Sequence, residues 1–175
     1  MQNSDIANDA VSVVIAGLGG QGVVKASDIL SDAAFEAGLD VKKSEIHGMS
    51  QRGGAVTSDV RFGRRVLSPM VPHGQAGFLV ALASDQLEPN RWLLREDGLA
   101  IGPGEVDVAM LPSARCLNVA ILGVLSTHLA IDEDCWRQAI EANLPLAVRP
   151  ANMQAFEIGR RAGDHSRTRQ GDIEK

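Results

Sequence analysis

The sequence predicts an α/β fold: a Rossmann-like three-layer domain with a mainly parallel sheet and an antiparallel edge. Three observations carry that prediction. An apolar run, Val11–Ala16, ends in the glycine-rich stretch Gly17-Leu18-Gly19-Gly20-Gln21-Gly22 and leads into a segment of helical period. A second strand-like segment, Val41–Ile46, follows, so the first third of the chain reads β-α-β, the unit from which parallel sheets are built. Hydrophobic residues make up 45% of the chain but aromatics only 3%, with no Tyr, so the core must be aliphatic and Ala-rich. At 175 residues one domain is expected, spanning 11–162, with flexible termini at 1–10 and 163–175.

The elements follow in order. Val11–Ala16 is apolar throughout, as a central parallel strand should be. From Gly22 to about Ala37, Val23, Ser27, Leu30, Ala34 and Ala37 recur at helical spacing. Gly38 stands where a left-handed residue closes the helix. His47-Gly48-Met49-Ser50-Gln51-Arg52-Gly53-Gly54 is a loop by composition. Ala55 to Phe62 then alternates, with Val56, Ser58, Val60 and Phe62 on one face and Ala55, Thr57, Asp59 and Arg61 on the other. That pattern suits a half-exposed strand at an antiparallel edge. Gly63-Arg64-Arg65 turns the chain, and Pro69, Pro72 and Gly74 mark a further loop. Gly77–Ala83 reads as a buried strand, with Ser84 capping a helix from Asp85 to about Leu94. Leu99–Ile101 and Val106–Leu111 read as two short strands. Leu117, Ala120, Ile121, Val124, Leu125 and His128 share one helical stripe. Asp132 caps the next helix, to about Ala142, and Pro150 opens the last, to about Ala162.

Composition narrows the function. The formal net charge is −5, and there is no basic stripe or aromatic platform, which argues against nucleic acid as a partner. Met1–Ala10 carries acids and neither Lys nor Arg, unlike a secretory signal, and no apolar run approaches a membrane span. Cys116 and Cys135 make no C-x-x-C pair and cannot hold an iron–sulfur cluster by themselves. Free thiols of this kind suit the reducing cytoplasm.

The chemistry concentrates in the two glycine-rich loops. Gly17, Gly19 and Gly22 fit G-x-G-x-x-G, with Gly20 and Gln21 inside the turn. A strand, a tight turn and a helix N-terminus together offer free backbone N–H groups to an anion. The same glycines also serve plain turn geometry and close helix–sheet packing. A dinucleotide would need an acid at the end of the second strand to hold its ribose. Asp40 opens that strand; Glu45 is better placed, but two residues from His47 it could instead orient the imidazole. In the second loop Arg52 offers a planar charged fork, Gln51 flanks it, and Gly53 and Gly54 can form an anion nest. His47 is the candidate proton-transfer residue, and a loop-fixing imidazole explains it as simply. In a parallel sheet the two loops should emerge at one edge and meet.

Gly17–Gly22 joined to Ser44-Glu-Ile-His-Gly-Met-Ser-Gln-Arg-Gly-Gly54 resembles the gamma-type subunit of 2-oxoacid:ferredoxin oxidoreductases, and within it the indolepyruvate branch. Asn118-Val-Ala-Ile-Leu-Gly123 and Asn152-Met-Gln-Ala-Phe-Glu-Ile-Gly159 match as well. The resemblance implies an accessory subunit in the oxidative decarboxylation of an arylpyruvate or related 2-oxoacid to an acyl-CoA, with electrons passed to ferredoxin. It implies thiamine diphosphate and iron–sulfur clusters on a larger partner subunit, coenzyme A as co-substrate, and no cofactor held by this chain alone. Glu96-Asp97-Gly98 lacks the first glycine of the G-D-G run that such thiamine diphosphate sites use. Between Pro112 and Asn118 the chain is shorter than the family pattern. Two other readings stand beside this one: a stand-alone NAD or FAD oxidoreductase built on the glycine turn, and a scaffold module without a ligand.

Overall fold

The structure is a computed structural model that describes residues 10–47 and 53–173. Its centre is a five-stranded sheet in the order β2-β3-β1-β4-β5. β1 (Val11–Leu18) is the middle strand, and Val13, Val14, Ile15 and Ala16 are fully buried, which is why that run is apolar on both faces. α1 (Val23–Glu36) returns the chain to β2 (Asp40–His47), which points the same way as β1 but does not touch it. β3 (Ala55–Gly63) lies between them, antiparallel to both. β4 (Ala76–Ala81) and β5 (Leu94–Ile101) extend the sheet in parallel on the other side. Four strands therefore share one direction. The antiparallel pairing occupies one side of the sheet, with β2 rather than β3 outermost.

The helix that follows β1 ends as its sequence suggests. Gly38 has φ +79°; its N–H donates to the Phe35 carbonyl and that of Leu39 to the Ala34 carbonyl, a Schellman closure. One face of the sheet, carrying Val13, Ile15, Val60 and Val80, packs on α1, α3 (Leu117–Ser126), α4 (Glu133–Asn143) and α5 (Arg149–Ile173). α3 is buried nearly all round, as its mean apolarity requires. The third layer, on the opposite face, is thin: Val14, Ala16 and Leu79 meet Val71, Leu87 and Leu93 from loops and short turns.

Three expectations fail locally. The helix expected over Asp85–Leu94 is broken into turns around the four-residue α2 (Leu87–Asn90), Ser84 makes no capping bond, and Leu94 already belongs to β5. Pro89 supplies no N–H to hold a longer helix together. Val106–Leu111 is not a strand; it forms a 3-10 turn at Val108–Met110, nucleated by the Asp107 carboxylate accepting from the Ala109 N–H. The flexible tail expected from Gly163 is helix as far as Ile173, because Gly163 is buried against Thr127 at the end of α3. Asp132 does stand at the start of α4, without a side-chain bond; Glu133 and Asp134 place acid in that first turn.

Asp40 staples the start of β2 to the turn after β3. Its carboxylate accepts from the Val66 N–H at 2.8 Å and pairs with Lys42 at 3.1 Å, and these hold its pKa below the ordinary carboxylate value. A carboxyl with a lower pKa folded than unfolded adds stability above the unfolded value and loses it as pH falls through the folded one. Thermal melts between pH 7 and pH 2 should therefore show an acid limb that is shallower in the Asp40→Asn protein.

Candidate functional site at the carboxyl edge of the sheet

Gly17 must be glycine because a Cβ there would lie 2.7 Å from Val23 and 3.3 Å from Leu82, where α1 and the end of β4 close on β1. Gly20 and Gly22 hold φ of +89° and +83°, the left-handed region that glycine enters without strain. Gln21 locks the turn onto β1: its Oε1 accepts from the Leu18 N–H at 2.7 Å, and its own N–H donates to the Leu18 carbonyl at 3.1 Å. The Gly22 carbonyl begins the helix by accepting from the Ala26 N–H. No side chain caps α1 and no acid stands in its first turn. Its first N–H groups and positive end are therefore left for another group.

The second loop meets the first. The Gly19 N–H donates to the Gly54 carbonyl at 2.9 Å, and a Cβ on Gly19 would approach the Gly53 nitrogen to 3.4 Å. This follows from strand direction: β1 and β2 end, and β3 begins, at the same edge. Gly53 has φ +67°. Gln51 and Arg52, with the rest of 48–52, lie outside the described residues.

Lys43, Glu45 and His47 share the helical face of β2. The Lys43 ammonium bonds Glu45 at 2.8 Å and also Asp28 of α1. Glu45 lies 3.4 Å from His47 Nε2, so acid and imidazole do point the same way. Lys43, then His47, holds the Glu45 carboxyl below its usual pKa; burial opposes the Lys43 charge, but Asp28 and Glu45 outweigh it and raise its pKa. Glu45 is thus committed within β2. It is also a strand further out than a ribose acid should be, since β3 lies between β2 and β1 and sets them two strand spacings apart, about 9.6 Å. Calorimetric titration of the chain with NAD or FAD should give no micromolar binding.

The crevice between β1 and β4, where the chain winds off in opposite directions, holds a cavity of about 460 Å³ lined by Gly20–Gly22, Leu82, Arg115 and Asn118. Such switch points are the usual ligand position in open α/β sheets. Asn118 Nδ2 donates to the Gly22 carbonyl at 3.3 Å, tying α3 to the glycine turn. Asn118 and Arg115 were missed as site residues by loop chemistry alone; the only signal was that Asn118 heads a stretch matching the family pattern. Among the described residues no three His, Cys, Asp or Glu side chains stand together as a metal-holding group. Asp97 sits within β5 and pairs with Arg95 at 2.7 Å, and the thiols of Cys116 and Cys135 belong to separate helical segments, one buried.

Comparison with known proteins places this geometry. Residues 12–115 match the family described as pyruvate ferredoxin/flavodoxin oxidoreductase. Indolepyruvate oxidoreductase subunit IorB of Pyrococcus horikoshii is 44% identical, and that of Thermococcus kodakarensis 30%. Each alignment runs over 193 positions, taking in 86% of this chain and 95% of the relative. The relatives therefore carry residues inside the matched span that this chain lacks. The family match ends at Arg115, within the stretch from Pro112 to Asn118 that the chain crosses on a single 3-10 turn, Ala114–Cys116. The gamma subunit of a keto/oxoacid ferredoxin oxidoreductase from Geobacter sulfurreducens shares the fold, with a TM-score of 0.73, 21% identity, and coverage of 87% of this chain and 98% of that one.

Proposed function

This chain belongs to the pyruvate ferredoxin/flavodoxin oxidoreductase family, and from that membership we propose that it is the accessory subunit of an arylpyruvate:ferredoxin oxidoreductase. Residues 11–162 form its working domain. The larger subunit carries thiamine diphosphate and iron–sulfur clusters, coenzyme A is the co-substrate, and ferredoxin takes the electrons through the complex, in the cytoplasm. No described helix is long and apolar enough to cross a membrane.

The observation that carries the reading is the junction of Gly19 with Gly54. It gathers the turn Gly17, Gly19, Gly20, Gln21 and Gly22, the uncapped start of α1 and the glycines Gly53 and Gly54 at one edge. Gln51 and Arg52 directly precede Gly53 in the sequence and are proposed as the edge's polar and charged groups. That surface suits an anion: a coenzyme phosphate, or an acidic patch on the larger subunit. His47 and Glu45 flank it as a positioning pair. Arg52→Ala should impair the complex while the domain stays folded, with a loss on the order of 2–5 kcal/mol if the charge is desolvated in the assembly. Circular dichroism checks the fold, and steady-state assay checks activity and its dependence on coenzyme A. Full activity and normal assembly would make Arg52 plain solvated surface.

A further inference from the structure

The sheet face opposite the helices carries a second cavity, of about 580 Å³, which shares no lining residue with the first. Its floor is β3, where Thr57, Asp59 and Arg61 alternate on one face, and its walls include Ile46, Met70 and Trp92. Cavities of about 300–1,000 Å³ with apolar walls and a few convergent polar groups are the usual form of a small-molecule site.

Asp59 is the unexplained group. It is 5% exposed, and one carboxylate oxygen, Oδ2, accepts from the Val71 N–H at 2.8 Å. The other makes no hydrogen bond to a described residue. Burial pushes the carboxyl up, against the pull of Val71 and Arg61. Arg61 uses Nε on Ser12 and Nη1 on the Ser68 carbonyl, both at 3.1 Å, and leaves Nη2 out of these bonds. On one face of a strand the two residues stand about 7 Å apart. An acid and a cation thus lie side by side below an apolar wall. In that wall Ile46, Met70 and Trp92 are 51%, 61% and 54% exposed, and the Trp92 ring meets His73 edge-on at 4.2 Å. A carboxylate and a guanidinium at the foot of an apolar wall match a ligand that carries both opposite charges and an apolar body.

We propose that this cavity binds a free α-amino acid with an apolar or aromatic side chain. The ammonium sits on Asp59, the carboxylate turns to Arg61, and the side chain lies against Trp92, Met70 and Ile46. The cavity opens on the other face of the sheet from α1, and the proposal does not rest on the role given to the glycine turn.

Trp92 is a built-in reporter, because the other tryptophan, Trp136, is fully buried. The test titrates the full chain with L-phenylalanine, N-acetyl-L-phenylalanine and phenethylamine while following tryptophan fluorescence, with isothermal calorimetry in parallel. The expected result is saturable binding of L-phenylalanine at about 1 mM or tighter, weakened at least about tenfold by loss of either charged group of the ligand. Asp59→Asn keeps an acceptor for the Val71 N–H and should weaken binding by a similar factor. Met70→Glu, at an exposed position, should weaken it without touching the fold. Absence of saturation by every probe, or equal binding of the N-acetyl compound, or unaltered binding by both variants, would overturn the proposal. So would a Met70→Glu protein that fails to join the larger subunit while the parent chain ignores every probe, since the face would then be a protein contact.

Discussion

Gly159→Val should yield no stably folded protein. α3 and α5 cross at backbone contact, and the crossing is made by small residues. A Cβ on Gly159 would lie 1.8 Å from the Ala120 carbonyl oxygen, and one on Gly123 would lie 2.2 Å from that of Phe156. Both obstacles are backbone, so neither can rotate away. Relief requires the helices to part, which opens the seam between Val119, Ile121, Leu125 and Phe156 in the main core. Overpacking that ordinarily costs about 1–3 kcal/mol should here reach on the order of 4–5 kcal/mol, a large part of a domain's stability. Even Gly159→Ala should lower the melting temperature by about 10 °C. Gly104→Ala is the control: nothing lies within 4 Å of a Cβ there, and its melt should match the parent's.

Gly22→Ala should spare the fold and damage the complex. The left-handed backbone at Gly22, φ +83°, costs an alanine about 1–2 kcal/mol. Its Cβ would also fall 2.4 Å from Asn118 Nδ2. That obstacle is the end of a flexible side chain, so Asn118 swings out and gives up its bond to the Gly22 carbonyl. The glycine turn then shifts against α3 and β4 at the very edge proposed to meet the coenzyme or the larger subunit. A displacement of about 1 Å at such a surface can cost about 10²-fold in turnover. Far-ultraviolet circular dichroism should stay near the parent's while 2-oxoacid-dependent acceptor reduction by the complex falls by that order. Equal activity would separate the glycine edge from the reaction.

Much of the fold was legible because its signals are local. The run Val11–Ala16 is apolar for both faces of a central strand, and Gly38 marks the end of α1. The alternation Val56–Phe62 assigned the faces of β3 correctly. What that alternation could not give is position: β3 inserts between β1 and β2, a pairing that no property of residues 55–63 alone specifies. The buried Asp59 looked like an outward residue because the segment covering it, around Val71, comes from elsewhere in the chain. Likewise Gly123 appeared only as the end of a stretch matching the family pattern, and Gly163 as the start of a tail. Both are contact points between α3 and α5, a relation visible only once the helices are paired. At the site, the glycine spacing and the meeting of the two loops could be read from strand order. The bridge from Asn118 to Gly22 spans 96 residues and could not.

This chain and a larger subunit are proposed to be active only together. The most direct test is reduction of a ferredoxin-type acceptor with an arylpyruvate and coenzyme A, run with this chain alone, with the larger subunit proposed to carry thiamine diphosphate alone, and with the two combined. The expected result is no turnover by this chain, and a rate for the pair roughly 10²-fold or more above the larger subunit alone. Turnover by this chain alone, or a larger subunit equally active without it, would contradict the accessory role.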